Sequence, residues 1–368
     1  MAGKAAVGRA PLRPVGTGLA IGPQAPQELL RRALAQALAK LAGQPVSAAL
    51  CLFSPSLARI APDAIRQVMR QLPCLRLLVA TVPGVITEEG YALGENACAV
   101  LLLAPPLGLS PVTAQVQAQT ILSMARLEQC RDAWLQRAPR MGFLSGRGTR
   151  FWQNAQPVPG PCEALVEGAT CLQAAYSPGM RPLNAPLAVS LQEGNLLLRL
   201  ERYSALPLLA QSLPFSIREE ARLPLERLLV GELRPGQSSA VPPQWINIRA
   251  TDLNRSGLWL ERSLAADARA FFALRDPQVA QRDTRMALGA ARAGQPAPDF
   301  AWVSSSVGRD AAFFSGSDRD HALWQEFFPG VPCIGAYDLA EIAPMQDENR
   351  ILRYSKVFYL FSAQTECA

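Results

Sequence analysis

A chain of 368 residues, 49% hydrophobic and 18% charged, is long enough for two domains and has the balance of a soluble globular protein. Its formal net charge is +6, but only three of its 36 basic residues are lysines (Lys4, Lys40, Lys356) and the arginines are scattered, which argues against a nucleic-acid-binding face. No apolar run reaches the roughly eighteen residues a membrane helix needs, and the longest, Ala97–Leu107, carries two prolines and reads as buried strand, so no membrane insertion is expected.

Residues 1–25 read as a flexible leader rather than a signal peptide, because Arg9, Arg13 and Pro14 interrupt any apolar stretch. Pro26 opens a helix running to about Ala42, with Leu29, Leu30, Ala33, Leu34, Ala37, Leu38 and Leu41 on one face. Ala48–Phe53 reads as a buried strand and Ala61–Gln71 as a helix with Pro62 in its first turn. Leu75–Ala80 and Ala97–Ala104 read as strands, with a turn at Thr81–Gly84, so the beginning of the chain has the alternation of an α/β unit. Gln115–Gln136 has helical composition, with Leu127 and Trp134 facing inward, and Pro139 ends it.

The middle of the chain is richer in strand. Arg140–Gly148 is a strand end with a small-residue turn, and Phe151 and Trp152 read as core. Glu163–Tyr176 is a strand entering the turn Ser177–Pro182, and Glu193-Gly194-Asn195 signals a hairpin. Pro235–Pro243 reads as a linker. Two short strands follow (Ile246–Ala250, Leu258–Glu261), then a helix that Asp276 caps and Pro277 opens. From Asp299 to Pro344 the chain reads as strand (Phe300–Val303), serine turn, helix, strand (Val331–Ala336) and acidic turn. This order echoes the beginning: Ala48–Ser54 matches Phe300–Ser304, Leu75–Ile86 matches Val331–Ile342, and Ala97–Ala104 matches Lys356–Ser362. The expected fold class is therefore mixed α/β: two related halves with mixed sheets around a strand-rich middle.

Eight cysteines form no C-x-x-C pair and the chain has one histidine, His321, so neither a zinc site nor a disulfide framework is expected, and a reducing cytoplasm is the economical location. No glycine-rich nucleotide motif or nucleophile elbow occurs, so no cofactor is expected. His321 reads as a solvated helix-terminal histidine, and Cys333, in an apolar strand, as core. The candidates that remain are binding groups at strand ends. Ser304, Ser305 and Arg309 follow one strand; Tyr337, Asp338 and Glu341 follow the next. Arginine beside carboxylates suits a zwitterionic small molecule, the guanidinium taking its carboxylate and an acid its ammonium. The alternative for each residue, including Arg147 and Arg181, is that it caps a helix or turn.

The chain resembles the FIST family of bacterial sensory proteins, with N-terminal and C-terminal modules. The first resemblance rests on LCLFSPS, Thr81–Ile86, GFLSGRGTRF and the SPGMRPLNAPLAVSLQEGNLLLRLERYSALPLL stretch; the second rests on Arg275-Asp276-Pro277, SSSVGRDAAFF and VPCIGAYDLAEIAP. It implies a leader (1–25), an N-terminal domain (26–234), a linker (235–243) and a C-terminal domain (244–368). It also implies a cytoplasmic, non-enzymatic sensor of a small ligand, with amino acids proposed, that signals through a partner protein. By position it assigns ligand binding to Arg181, Arg309 and Glu341. The polar strand-end reading adds Asp338, Ser305 and Arg147, and Thr81 stands where the family often has cysteine or glycine. A protein-interaction scaffold without ligand is the alternative function. A cysteine- or serine-dependent hydrolase or transferase has few acid–base partners in a chain with one histidine and three lysines.

Overall fold

The computed structural model describes residues 13–59, 61–72, 76–113, 120–220, 222–236, 241–293, 296–346 and 348–364. Three six-stranded sheets and a barrel account for most of it, and the class is mixed α/β.

The first sheet is built from β1 (Val15–Ile21), β2 (Ala48–Phe53), β3 (Arg76–Thr81) and β6 (Ala97–Leu103), in the order β1-β6-β2-β3. Strands β2 and β3 are parallel, whereas β6 is antiparallel to both β1 and β2. The second sheet repeats this plan with β13 (Ala169–Ser177), β22 (Phe300–Ser306), β23 (Cys333–Asp338) and β26 (Lys356–Ala363), in the order β13-β26-β22-β23. Its directions are the same, with β22 parallel to β23 and β26 antiparallel to its two neighbours. Helices α1 (Pro26–Leu41) and α2 (Ala61–Gln71) bury their apolar faces on the first sheet, and α6 (Pro277–Ala293) and α7 (Arg319–Phe327) on the second. The inner faces of both sheets share one core, in which Leu50, Leu78, Trp302 and Tyr359 are buried.

Each sheet is completed by a hairpin. The second takes β4 (Gly84–Thr87) and β5 (Gly90–Leu93), which directly follow β3 of the first; β4 pairs with β23 from Ile334↔Thr87 to Tyr337↔Gly84. The first takes β10 (Phe151–Gln153) and β11 (Gln156–Val158) instead. A third sheet, of β7 (Gly108–Ser110), β8 (Ile121–Arg126), β9 (Arg140–Ser145), β12 (Cys162–Glu167), β24 (Ala340–Met345) and β25 (Glu348–Leu352), contributes Met124, Met141, Phe143 and Ala343 to the shared core. Gly142 on β9 has φ +136, and a Cβ there would lie 1.9 Å from the Ser123 carbonyl on β8, so only glycine fits this approach.

The barrel comprises β15 (Leu187–Glu193), β16 (Leu196–Leu200), β20 (Gly257–Leu260), β19 (Gln244–Asp252), β18 (Leu228–Leu233) and β21 (Arg269–Arg275), all antiparallel; β21 pairs with both β15 and β18 and so closes the ring. Short strands β14 (Met180–Pro182) and β17 (Tyr203–Ser204) add to it, and α4 (Ala205–Ser212) and α5 (Phe215–Arg218) cover one side over Leu197, Leu228, Ile246 and Phe272.

Several expectations are corrected. The segment 235–243, read as a linker, joins β18 to β19, which pair directly; it is a hairpin loop of the barrel, and residues 237–240 lie outside the described set. Strands from 26–234 pair with strands from 244–368 in the second sheet, the third sheet and the barrel, so the two domains drawn from the sequence are interleaved rather than consecutive. Of the leader read over 1–25, Val15–Ile21 is strand β1, and residues 1–12 lie outside the described set. The helix expected over 115–136 is strand β8 followed by a one-turn helix, α3 (Asp132–Leu135), because Ile121–Ala125 is buried on both faces between β9 and β12; residues 114–119 lie outside the described set. Among the described residues no helix is long and apolar enough to cross a membrane.

Candidate functional site

Because β22 and β23 are parallel and in register (Ser305↔Tyr337, Ser306↔Asp338), their polar C-terminal ends emerge side by side. The chain then turns at Leu339 into β24, which brings Glu341 beneath the same edge. The loop Arg353-Tyr354-Ser355 closes over it, with Ser306 N–H donating to the Ser355 carbonyl (3.0 Å) and Ser355 Oγ donating to Glu341 Oε2. Tyr354 packs against the barrel and donates its hydroxyl to Asn247 Oδ1 (2.5 Å). The strand ends thus lie on the seam between the second sheet, the third sheet and the barrel.

Here the structure holds buried polar atoms that have no hydrogen-bond partner: Asp338 Oδ2, Glu341 Oε1 and Tyr176 Oη, with the Trp245 indole N–H facing the Tyr176 hydroxyl without closing a hydrogen bond of ordinary geometry. Ser305 Oγ, also without a partner, lies on the opposite, helix-covered face of the sheet with Tyr337 and Lys356. Native interiors pair nearly all such groups, so three orphans from β13, β23 and β24 and a fourth from the barrel wall mark a place built for something more than packing. Burial pushes Glu341 up to about 8, against the opposing pull of its Ser355 hydrogen bond and the Arg309 charge. Burial likewise raises Asp338 well above the carboxylate range, and the neighbouring Glu341 charge adds to the effect. Burial thus shifts both acids of the cluster toward their protonated forms, in which a carboxyl can donate as well as accept.

Arg309 is close by but already engaged. Its guanidinium is 1% exposed. Nε bonds Asp320 Oδ2 (2.7 Å), Nη1 bonds the Ser177 carbonyl, and Nη2 reaches Ser177 Oγ (2.6 Å), Thr284 Oγ1 (2.9 Å), the Ala280 carbonyl (3.1 Å) and Asp320 Oδ1 (3.2 Å). Gly179, at φ +66, makes room for this, since a Cβ there would meet Ala280 Cβ at 2.8 Å and Arg309 Nη1 at 3.1 Å. Its expected role as a clamp for a ligand carboxylate is corrected: the arginine is a buried tie between β13, α6 and α7. The other expected residues lie apart. Arg181 is half-exposed, 3.9 Å from Asp276, and Arg147 is 90% exposed in an ion pair with Glu128. Thr81 is buried at the end of β3 in the first sheet, where its Oγ1 accepts from Arg150 N–H (2.9 Å).

Three partners escaped the sequence reading. Lys356 is fully buried at the start of β26, bonds Asp318 (2.8 Å) and lies 5.6 Å over the Tyr337 ring; a charge opening the apolar run KVFYLF is the signal that could have found it. Asp318 also accepts the Tyr337 hydroxyl and caps α7 through His321 N–H (3.0 Å). Burial raises the Asp318 carboxylate, but the Lys356 charge and the hydrogen bonds from Lys356, Tyr337 and His321 together hold it below its ordinary value. Asp320 was hidden as one acid among several in SDRD. His321 is not the solvated histidine expected: its ring contacts the Thr87 carbonyl (2.9 Å) and the Tyr91 edge, and burial lowers its pKa. Cys333 is core, as expected, with its thiol pushed well up by burial. Among the described residues no group of histidine, cysteine and carboxylate side chains could hold a metal.

No protein-family model matches the chain, and no curated protein matches it.

Proposed function

We propose that the chain is a FIST-like, non-enzymatic sensor that binds a small amino-bearing ligand at the Asp338–Glu341–Tyr176 cluster and signals through a partner protein. The observation that carries this reading is the set of unpartnered buried oxygens on Asp338, Glu341 and Tyr176. All are oxygens that can accept, and two belong to carboxyl groups that a nearby cation would ionise. With Arg309 consumed by Asp320 and Ser177, the ligand's ammonium rather than its carboxylate is the group this cluster selects. An amino acid or related amine fits; a simple carboxylate does not. The high thiol pKa of Cys333 supports a binding rather than a nucleophilic role for this sheet.

Differential scanning fluorimetry against amino acids and amine metabolites tests the reading. We expect at least one to raise the Tm of the wild type and to lose that effect in Glu341→Gln. Binding should strengthen as pH rises toward 8 and release a proton, visible as a buffer-dependent calorimetric heat. No stabilisation by any ligand at millimolar concentration would leave the cluster as a structural core and favour the scaffold reading.

A further inference from the structure

On the outer side of the same seam lies a cavity of about 820 Å³, within the size range of small-molecule sites and lined from three directions. The barrel gives Arg234, after β18, and Arg262, after β20; the third sheet gives Arg350 on β25; the loop over Glu341 gives Arg353. These four guanidinium groups meet three carboxylates of the wall, Asp132, Glu261 and Glu348, and a fourth just behind it, Glu232, which is buried and pairs with Arg262 (2.7 Å). Two of the wall's acids are occupied as well. Glu261 accepts from Asn247 (2.6 Å) and Arg353 (3.0 Å), and Glu348 pairs with Arg350 (2.8 Å). Arg350 is the exceptional member: it is mostly buried, yet its Nε has no partner, and its one counter-ion, Glu348, is 59% exposed. A guanidinium held in a wall by a surface acid that can swing away is prepared to accept a different anion. Arginine donates and never accepts, so the ligand must be rich in acceptor oxygens.

We propose that this cavity is a second binding site, distinct from the Glu341 cluster, for a small polyanion bearing phosphoryl or multiple carboxylate groups. Arg350 and Arg353 are its central contacts, and Glu348 occupies the site in competition with the ligand. The site does not depend on the amine reading of the Glu341 cluster.

Isothermal titration calorimetry of the full chain with pyrophosphate and with citrate tests it. We expect saturable binding of at least one probe, weakened several-fold by added salt. Preference for pyrophosphate identifies a phosphoryl ligand, and preference for citrate a polycarboxylate. Arg350→Met and Arg353→Met should each weaken binding about tenfold or more, the loss of a charge-assisted contact. Glu348→Gln should tighten binding a few-fold by removing the competitor, and Glu341→Gln should leave it unchanged. The proposal is overturned if neither probe binds, or if affinity is indifferent to Arg350→Met and Glu348→Gln. Should circular dichroism find Arg350→Met unfolded, the exposed Glu348→Gln variant decides alone: unchanged or weaker affinity overturns it. Loss of probe binding in Glu341→Gln would place the anion in the inner cluster instead and overturn the second site.

Discussion

The two four-stranded units have the same strand order and the same strand directions, yet their strand ends are chemically opposite. In the first, the ends of β2 and β3 carry Ser54 and Thr81, neutral side chains that each accept one backbone N–H, from Ala97 and Arg150. In the second, the corresponding edge carries the Arg309–Asp320 and Lys356–Asp318 pairs, two acids whose pKa burial raises, and a set of orphaned oxygens. A repeated scaffold therefore does not repeat its chemistry. The first unit uses its strand ends to finish a sheet, whereas the second spends stability on polar groups that packing alone would not require.

The comparison is broken most directly by stranding a charge. Asp320→Ala leaves Arg309 buried without its carboxylate and should cost about 3–5 kcal/mol in urea denaturation. A cost below about 1 kcal/mol would mean that water reaches the pair and that the edges are less different than their burial implies. Next is the pH profile. Glu341 is raised to about 8, so the folded state holds its proton where the unfolded chain releases it. Stability is then full below the ordinary glutamate value and falls as pH rises, by roughly 1 kcal/mol per unit between about pH 5 and 8. Glu341→Gln should flatten that slope, leaving the part that Asp338, shifted in the same direction, contributes. In the first unit Thr81→Val should cost about 1 kcal/mol, one hydrogen bond to Arg150, with no pH dependence. Smallest of all, Arg147→Ala and Arg181→Ala should change stability by less than about 0.5 kcal/mol, since both side chains are largely solvated.

The repeated unit was legible in the sequence because its signals are local. Apolar runs of strand length, Ala48–Phe53, Arg76–Thr81 and Phe300–Ser306, recur in the same order with helices between them. What was not legible depends on partners far along the chain. Gln115–Gln136 has helical composition, but Ile121–Ala125 is claimed by β9 and β12 on its two sides, and burial overrides propensity. Nothing near Gly84–Thr87 announces that it will pair with Ile334–Tyr337. The candidate site divides in the same way. Asp338 and Glu341 follow from their position at strand ends, and the structure brings them together, whereas the strand alternation turns Ser305 to the other face, beside Tyr337 and Lys356. Arg309 sat in the same motif, but its fate was decided by Ser177, Thr284 and Asp320, on three other elements.

The β4–β5 hairpin has a consequence for how the chain is made. Glu88, at its tip, accepts from Thr17 and Lys40 (2.6 Å) in the first unit and from Cys333 N–H (3.0 Å) in the second. On the ribosome the hairpin is synthesised long before β23, its sheet partner, and β13 likewise waits for β26. The nascent chain therefore carries open strand edges until Cys333–Asp338 and Lys356–Ala363 emerge, the condition that favours chaperone capture and punishes premature termination. Neither half expressed alone would fold to a soluble product, whereas the two halves produced together have matching edges and should reassemble.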